Sequence, residues 1–500
     1  MSLYAGLDVG TQSVKLVLYD PQLRQVVATQ ASSLALTSDD DGTREQQAEW
    51  WIQAIVACLA AVPATLRSRV RAIGVSGQQH GLVPVATDGQ VTAPVKLWCD
   101  TSTQAQAQAL TAALGGAEAA VVAAGNPILV GYTASKLPWM RLHRPQAYAA
   151  MATILLPHDY VNFWLTGECF MEAGDASGTG WLDVRTRAWS STVLRAIDPE
   201  RDLHAALPPL VAPDTVFALT THAARALGLP AGVRVSVGGG DNMMAAIGTG
   251  NVVPGRLTMS LGTSGTLFTY AERPIVDAAG RWAAFCDSTG GWLPLICTMN
   301  CTVATDVAAR MGGLTRAQSE AAVAATAPGA AGLVMLPFLN GERSPDLPAA
   351  RGMLFGMDLH NSTAAHLYRA AMEGATYSLR AGQEALIQAG LRFDTLVLTG
   401  GGAHSTAWRQ MVADVFDLPV EVPCQLEGAA FGAALQALWA CQRADGEVCA
   451  LADVVLKHVQ LDPLQGAHPD LQRVAAYDRG YRCFQRYLAA AEALYRPSPS

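Results

Sequence analysis

The sequence predicts an α/β protein built from two related domains with a cleft between them. Two observations favour this fold class. Short apolar strands alternate with helical segments along the chain, which is typical of α/β domains. A segment of the first half also reappears, altered, in the second: LDVGTQSV at residues 7–14 resembles MSLGTSGT at residues 259–266. We therefore expect two domains, at residues 1–246 and 247–500.

Each copy of the repeat predicts a hairpin of two apolar strands joined by a Gly-Thr turn. The backbone N–H groups of such a turn can converge on a phosphate group. Thr11 of the first copy and Gly262, Thr263 and Ser264 of the second are therefore candidate nucleotide-binding residues. The alternative is that both segments are ordinary hairpin turns.

The two copies differ in one chemically important position, since Asp8 stands where the second copy has Ser260. An aspartate at such a turn suits a divalent cation, and Mg²⁺ gives up its bound water reluctantly. We expect Asp8 to act on Mg²⁺ through water. The alternative is that Asp8 caps its own turn.

Asp241 is the strongest candidate for catalysis. It follows three glycines at the end of a predicted strand, residues 233–237. The ends of strands in α/β sheets are where ligands bind, and glycines let the backbone approach a ligand. The Asp241 carboxylate could accept a proton from a hydroxyl, while the amide of Asn242 holds a neighbouring hydroxyl. A structural turn is the alternative.

Two further polar segments follow predicted strands in the first half. Gln79 and His80 lie between glycines after the strand at residues 70–76, and such groups suit hydrogen bonds to a polyol. A structural histidine is the alternative. Asp100 ends another apolar segment, where it would bind a substrate hydroxyl or cap a helix beginning near Thr101.

Two segments of the second half are also candidates. Gly401, Gly402 and Ala403 follow a predicted strand at residues 395–398, and they would lie beneath a nucleotide or merely end the strand. The Glu342-Arg343 pair would be a charged loop at the cleft or solvated surface, of which surface is the simpler interpretation.

Composition narrows the class of protein. Half of the residues are hydrophobic and 15% are charged, which favours a large buried core. A net charge of −8 argues against nucleic acid or an anionic membrane as the main partner. No signal-like or membrane-spanning stretch is evident, so we expect a cytoplasmic protein. The ten cysteines form no C-x-x-C pair and are expected to be reduced thiols.

The two hairpins, together with the segment GGGDN at residues 238–242, resemble the FGGY carbohydrate kinases. Two longer stretches support this resemblance: GYTASKLPWM at residues 131–140, and GMLFGM at 352–357 followed by a helix that includes residues 366–373. The resemblance covers nearly the whole chain. It implies two actin-like ATPase (ribonuclease H-like) domains. The loop GQQHG at residues 77–81 resembles that of members which phosphorylate D-xylulose, whereas glycerol kinases carry an Arg-Glu pair there.

The resemblance also implies an activity: transfer of a phosphoryl group from ATP, with Mg²⁺, to a ketopentose, foremost D-xylulose to D-xylulose 5-phosphate. A homodimer is a further expectation from the family. The implied roles are Asp241 as general base, Asp8 in the metal and phosphate network, Gln79, His80 and Asn242 at the sugar, and Gly262, Thr263 and residues 400–403 at the nucleotide. Cys99, His158 and Ser135 depart from the family pattern, in which Asn, Lys and Pro are frequent.

Two alternatives remain open. One is a kinase for another ketose or a polyol, such as ribulose or a glycerol-like substrate. The other is an actin-like ATPase that switches conformation without any sugar. The Asp241-Asn242 pair and the polar Gln79-His80 loop argue against the switch, because a switch needs no hydroxyl-binding pocket.

Overall fold

The structure is a computed structural model that describes residues 2–495. Its two largest β-sheets have seven and six strands, one sheet in each half of the chain. The strands of the first half are β1 (Leu3–Val9), β2 (Ser13–Asp20), β3 (Gln25–Ser33), β4 (Thr37–Ser38), β5 (Arg44–Gln46), β6 (Val70–Gly77), β7 (Val83–Val85), β8 (Val95–Lys96), β9 (Thr153–Leu155), β10 (Leu182–Asp183), β11 (Ala188–Trp189), β12 (Val216–Ala218), β13 (Arg234–Ser236) and β14 (Gly239–Gly240). Those of the second half are β15 (Gly255–Leu261), β16 (Gly265–Thr269), β17 (Ala283–Cys286), β18 (Trp292–Thr298), β19 (Val334–Leu336), β20 (Met353–Phe355), β21 (Phe393–Thr399) and β22 (Val420–Glu421).

Helices cover both sheets. Those of the first half are α1 (Ala48–Ala60), α2 (Ala64–Arg67), α3 (Gln104–Ala113), α4 (Ala117–Ala124), α5 (Thr133–His143), α6 (Pro145–Ala150), α7 (Pro157–Thr166), α8 (Ala173–Ala176), α9 (Ser191–Ile197), α10 (Thr221–Leu227) and α11 (Asp241–Gly248). Those of the second half are α12 (Thr302–Gly312), α13 (Arg316–Ala324), α14 (Ala364–Gln388), α15 (Thr406–Phe416), α16 (Gly428–Ala444), α17 (Leu451–His458) and α18 (Leu471–Tyr495).

The two large sheets have the same topology. In the first, β1 lies between antiparallel β2 and parallel β6. In the second, β15 lies between antiparallel β16 and parallel β21. The strand order β3-β2-β1-β6-β13 therefore corresponds, strand for strand, to β18-β16-β15-β21-β22. The predicted α/β fold with a duplicated hairpin is confirmed, whereas the domain boundary between residues 246 and 247 stays a prediction.

Most predicted elements of the two sheets lie within a few residues of the observed ones. The helix expected to begin near Thr101 begins a little later, at Gln104. The Pro- and Ser-rich end of the sequence predicts a frayed tail after the last helix, and residues 496–500 of it lie outside the described residues. Within residues 2–495 no single helix is long and apolar enough to cross a membrane, and only α3 and α4 together, bent by 80°, reach that length and composition. All ten cysteines are free thiols.

One helix of the second half packs directly on the sheet of the first. A Cβ atom added to Gly6 of β1 would lie 1.8 Å from the carbonyl oxygen of Ala430 in α16. A Cβ on Gly74 of β6 would lie 2.0 Å from the carbonyl oxygen of Ala433. Such distances are far below van der Waals contact, so only glycine lets the helix backbone lie on these strands.

The same helix holds α11, which begins at Asp241. A Cβ on Gly432 of α16 would lie 1.8 Å from the carbonyl oxygen of Met244, and one on Gly248 of α11 would lie 1.9 Å from that of Gly428. The two helices therefore cross in backbone contact. The position of the helix that carries Asp241 depends on a segment nearly 190 residues later in the chain.

Apolar packing joins the halves as well. One buried cluster contains side chains of both sheets and of α16, including Tyr4, Tyr19, Phe268 and Phe431. The rings of Tyr19 and Phe431 meet edge to face, with centroids 5.0 Å apart. Two other large clusters fill the individual halves. The sequence lacks a low-complexity linker between the halves, and this shared core agrees with the tight interface expected from that absence.

We predict that Gly432→Ala lowers the free energy of unfolding by about 3 kcal/mol or more, because the new methyl group overlaps the Met244 carbonyl. Gly428→Ala is the matched control on the same helix. Its Cβ would meet only a Thr249 methyl group at 3.6 Å, so the change should stay within about 1 kcal/mol. Urea denaturation of both variants measures the difference. Equal stabilities would contradict the packing described for this crossing.

Candidate active site

A cleft of about 530 Å³ lies between the two halves. Both halves contribute to its lining, and the polar residues among its lining include Asp8, Lys15, Gln79, His80, Asp241, Asn242, Ser260, Ser264, Arg343 and Thr399. The cleft thus brings together most of the candidate catalytic and sugar-binding residues singled out from the sequence, with Ser264, Arg343 and Gly400 of the second half. The others, described below, lie behind or beside it.

Asp241 is the first residue of α11, at the end of the glycine segment. Its Oδ1 accepts hydrogen bonds from the backbone N–H of Asn242 at 2.8 Å and from Asn242 Nδ2 at 3.0 Å. Its Oδ2 makes no hydrogen bond to residues 2–495. Burial, together with the nearby carboxylates of Asp8 and Asp175, raises the pKa of Asp241 to about 8. One oxygen is therefore fixed, and the other is available to accept a proton.

Asp8 lies near the end of β1 and faces the same cleft. Its Oδ1 accepts a hydrogen bond from Ser76 Oγ at 2.8 Å, and burial raises the pKa of this carboxyl. The turn after β1 is closed by the backbone bond from Gly10 N–H to Ser13 O. Asp8 therefore does not cap its own turn, contrary to the alternative interpretation.

The donor set at this point suits Mg²⁺ carried by a substrate. Mg²⁺ takes one or two carboxylates and completes its shell with water and phosphate oxygens. Asp8 offers a half-buried carboxylate with one oxygen free of hydrogen bonds to residues 2–495, which fits contact through water. Within that same range no group of three or more His, Cys, Asp or Glu side chains is arranged to hold a metal alone.

The polar loop after β6 lies beside Asp241. Gln79 Oε1 accepts a hydrogen bond from Asn242 Nδ2 at 3.0 Å, which joins the loop to α11. His80 stacks on Tyr132, with ring centroids 4.6 Å apart. Burial and the nearby Lys136 ammonium lower the pKa of His80 to about 3, so its ring is neutral. These groups form a neutral, hydrogen-bonding wall on the first-half side of the cleft.

Behind Gln79 lies a buried ionisable cluster. His158 Nδ1 and Asp175 Oδ2 are 2.5 Å apart. Burial alone would lower the pKa of His158, but the carboxylates of Asp159 and Asp175 raise it to about 9. The neighbouring carboxylates therefore favour the protonated form of the His158 ring. Cys99, the other departure near the predicted sugar pocket, is half-buried beside the cleft residue Trp98.

Asp100 is buried away from the cleft lining. Its carboxylate pairs with Lys96 Nζ at 2.9 Å and accepts bonds from Ser102 and from the backbone N–H of Arg44. It caps no helix, because α3 begins at Gln104. Its role as a sugar ligand stays a prediction that these contacts do not favour, since the carboxylate is already occupied.

The second hairpin turn lies at the start of α12. The carbonyl oxygens of Gly262 and Thr263 accept hydrogen bonds from the backbone N–H groups of Thr302 and Cys301, both at 2.9 Å. Ser264 lines the cleft, whereas Gly262 and Thr263 are not part of its lining. The turn is therefore fixed by a helix terminus, with one of its three candidate residues facing the cleft.

Of the remaining nucleotide candidates, Gly400, with φ of 82°, lines the cleft, and Thr11, Gly401, Gly402 and Ala403 do not. Gly401, Gly402 and Ala403 follow in a short 3₁₀ turn that packs behind the end of β15. Thr11 Oγ1 is occupied, because it donates to Gln78 Oε1 and accepts from Trp98 Nε1, both at 2.9 Å. Roles for these residues at a nucleotide stay predictions.

Two cationic residues line the cleft, of which Lys15 was not singled out from the sequence and Arg343 was, with solvated surface as the simpler interpretation. Lys15 stands opposite Asp8 in the β1–β2 register and forms an ion pair with Glu427 at 2.6 Å. Arg343 follows Glu342, a buried residue that accepts the backbone N–H of Met299 at 2.6 Å. Solvated surface was therefore the wrong interpretation of this loop. A charged residue inside the apolar pattern of β2 was the available signal for Lys15.

Comparison with known proteins agrees with this geometry. The model of the FGGY family of carbohydrate kinases, N-terminal domain, matches residues 3–248, and that of the C-terminal domain matches residues 257–441. The chain belongs to the FGGY family of carbohydrate kinases. The resemblance seen in the sequence is confirmed, and the protein is a sugar kinase.

Individual relatives extend over the full length. A xylulose kinase of Haemophilus influenzae is 40% identical, over 99% of this chain and 100% of its own. The crystal structure of xylulose kinase from Rhodospirillum rubrum has a TM-score of 0.87 at 26% identity, covering 99% of both chains. A gluconate kinase structure from Lactobacillus acidophilus reaches 0.91 at 22% identity, again over 99% of both chains, which shows the fold alone. The predicted pair of actin-like ATPase domains is confirmed.

We predict that Asp241→Asn stabilises the protein, and more so as the pH rises. An unfolded aspartate ionises near 3.8, whereas the folded value is about 8. Between these values the folded state binds more protons than the unfolded state, so the wild type loses stability as the pH rises. Asparagine cannot ionise and avoids that loss.

Thermal unfolding at about pH 5 and at about pH 8 measures this effect. The stability gain from Asp241→Asn should be larger at the higher pH. It should stop increasing once the pH exceeds the folded pKa of about 8. The exposed residue Asp88 supplies the control Asp88→Asn, which should show no such pH-dependent gain. A gain from Asp241→Asn that is independent of pH would contradict the raised pKa of this carboxyl.

Proposed function

We propose that this chain transfers the γ-phosphoryl group of ATP to the terminal hydroxyl of D-xylulose, giving D-xylulose 5-phosphate. The observation that carries this proposal is the free Oδ2 of Asp241 in a cleft beside a neutral wall of sugar-binding type. Full-length similarity to the xylulose kinase of Haemophilus influenzae supports the choice of sugar. Similarity in fold alone would not support a particular sugar, because a gluconate kinase shares the fold.

In this proposal Asp241 is the general base. Asn242 holds Oδ1, so Oδ2 can accept the proton of the attacking hydroxyl. A base whose pKa lies near the working pH is ionised often enough and still attracts a proton. Gln79 and His80 bind other hydroxyls and align the attacking oxygen. Phosphoryl transfer needs mainly such alignment, together with neutralisation of charge on the transferred group.

The charge of the transferred group meets cationic side chains in this cleft. Arg343 lines the cleft and has no ion-pair partner among residues 2–495, so its guanidinium is available to phosphate oxygens. Lys15 lies opposite Asp8 but is held by Glu427. Mg²⁺, when bound with ATP, would neutralise further phosphate charge beside Asp8. The nucleotide lies on the second-half side, against Ser264 and the Thr399-Gly400 segment.

Family membership removes the conformational ATPase from consideration, while other sugars remain testable rivals. Ribulose differs from xylulose at one carbon, so a small change in the hydroxyl pattern of the pocket decides between them. A cytoplasmic location and a homodimer belong to the proposal as well, and gel filtration with light scattering measures the second.

We predict that D-xylulose gives the highest kcat/KM among D-xylulose, D-ribulose, L-ribulose, glycerol and gluconate. A coupled assay of ADP release, with product identified by mass, measures this ranking. A higher value for another sugar would replace D-xylulose as substrate while leaving the kinase assignment intact. ATP hydrolysis that no sugar stimulates would overturn the proposal.

We predict that Asp241→Asn lowers kcat by about a thousandfold, because no other group can accept the hydroxyl proton. Sugar binding should persist, since Asn242, Gln79 and His80 are unchanged, and calorimetric titration measures it. The exposed substitution Asp88→Asn serves again as control and should keep wild-type kcat. Near-normal turnover of Asp241→Asn would contradict the role of general base.

We predict that Asp8→Asn raises the Mg²⁺ concentration required for half-maximal activity by about tenfold or more. Asparagine keeps an acceptor for Ser76 Oγ but loses the negative charge that attracts the cation. Titration of Mg²⁺ at fixed ATP, with the KM for sugar measured in parallel, gives the comparison. An unchanged Mg²⁺ requirement would remove Asp8 from the metal network.

A further inference from the structure

His80 has an unusual backbone conformation for a residue with a side chain. Its φ is 67°, in the left-handed region that favours glycine. Such a conformation costs free energy and persists only where the surroundings hold it, often at functional sites. Because His80 lines the cleft next to Gln79, the contacts that hold it bear on recognition of the sugar.

Two side chains at the start of α5 hold the backbone of His80. Lys136 Nζ donates to the carbonyl oxygen of His80 at 2.7 Å, and Thr133 Oγ1 donates to the same oxygen at 3.2 Å. Lys136 Nζ also donates to the carbonyl oxygen of Gly131. Lys136 is fully buried and forms no ion pair within residues 2–495. Burying a lysine whose partners are only two backbone carbonyls costs free energy, which points to a role beyond packing.

The ring of His80 is held independently of its backbone. Nδ1 lies 2.6 Å from the carbonyl oxygen of Gly178. A carbonyl oxygen only accepts, so Nδ1 carries the proton and Nε2 carries the lone pair. Gly178 allows this approach, since a Cβ there would lie 2.6 Å from Nδ1. Tyr132 stacks on the ring from the side of α5. Nε2 itself has no hydrogen-bond partner among residues 2–495.

We propose that Lys136 is a positioning residue for sugar recognition. By holding the His80 carbonyl, it fixes the left-handed backbone that aims the ring at Gly178 and presents Nε2 as an acceptor to one hydroxyl of the ketose. This inference rests on the proposed function for the identity of the ligand. The orientation and tautomer of the ring are properties of the protein alone.

Electrostatics support the same arrangement. Burial and the neighbouring Lys136, with Arg343 further along the cleft, lower the pKa of His80 and keep its ring neutral. Burial lowers the pKa of Lys136 itself to about 7. Two carbonyl acceptors need only two protons, and a neutral amine supplies two. The hold on His80 therefore survives loss of the lysine charge.

Steady-state kinetics of Lys136→Met tests the positioning role. The KM for the best sugar substrate should rise by about tenfold, the equivalent of one hydroxyl hydrogen bond. The KM for ATP should change less than about twofold, because no nucleotide group is involved. Thr133→Val removes the longer bond and should act in the same direction with a smaller effect.

Two controls separate positioning from a loss of stability. Arg369→Met removes another buried cation, whose ion-pair and hydrogen-bond partners all lie in the second half. It should lower the melting temperature without a selective rise in the sugar KM. Deoxy sugars identify the hydroxyl concerned. For the deoxy sugar that lacks the hydroxyl bound by His80, the KM should be the same for Lys136→Met as for the wild type. Equal changes in both KM values, or no deoxy sugar with this property, would overturn the proposal.

Nitrogen NMR of ¹⁵N-histidine-labelled wild-type protein tests the tautomer without any activity. The His80 signals, assigned by their absence in His80→Gln, should show a protonated Nδ1 and an unprotonated Nε2. A protonated Nε2 would overturn the inference even in an active kinase. If instead no sugar is phosphorylated but the tautomer is as described, the proposed function fails and the arrangement of Lys136 and His80 stands.

Discussion

The chemistry of the cleft depends on one electrostatic constraint. The carboxylates of Asp8 and Asp241 face the same cleft, which is partly shielded from water, and neither has a cationic partner that neutralises its charge fully. Burial raises the pKa of both carboxyls, and Asp8 raises that of Asp241 further. In the free protein Asp241 therefore favours its protonated form, whereas catalysis needs its carboxylate as a base. A metal-bound phosphate donor would relieve this constraint, so binding of the substrates would prepare the base.

Groups behind the cleft fix the residues that face it. Asn242 holds one oxygen of Asp241 and also binds Gln79, while Lys136 and Gly178 hold His80 from two sides. A buried His158–Asp175 pair lies behind this loop. Asp241, Asn242, Gln79 and His80 each make at least one internal hydrogen bond, which reduces the freedom that substrate binding would otherwise have to remove.

Local patterns in the sequence were sufficient to predict the duplicated fold and many of the residues that line the cleft. The duplicated hairpins, the glycine segment before Asp241 and the Gln79-His80 loop are contiguous motifs, and they lie where such motifs predict. The role of Asp100 stays a prediction, because a polar residue after a strand looks the same in the sequence whether it faces a ligand or Lys96. For Arg343 the sequence favoured solvated surface over the cleft, since charged loops are usually solvated and only the burial of Glu342 turns this one inward. The contact of α16 with β1 and β6 joins distant segments and leaves no periodic signal.

That last contact has a consequence for how the protein is made. The glycine face of the first sheet is covered by a helix that ends at Ala444. Synthesis proceeds from the N-terminus, so most of the chain leaves the ribosome before this cover exists. During that interval an apolar face of the first half is open to chaperones, to proteases and to other nascent chains. Completion of the active site is thereby coupled to completion of the polypeptide.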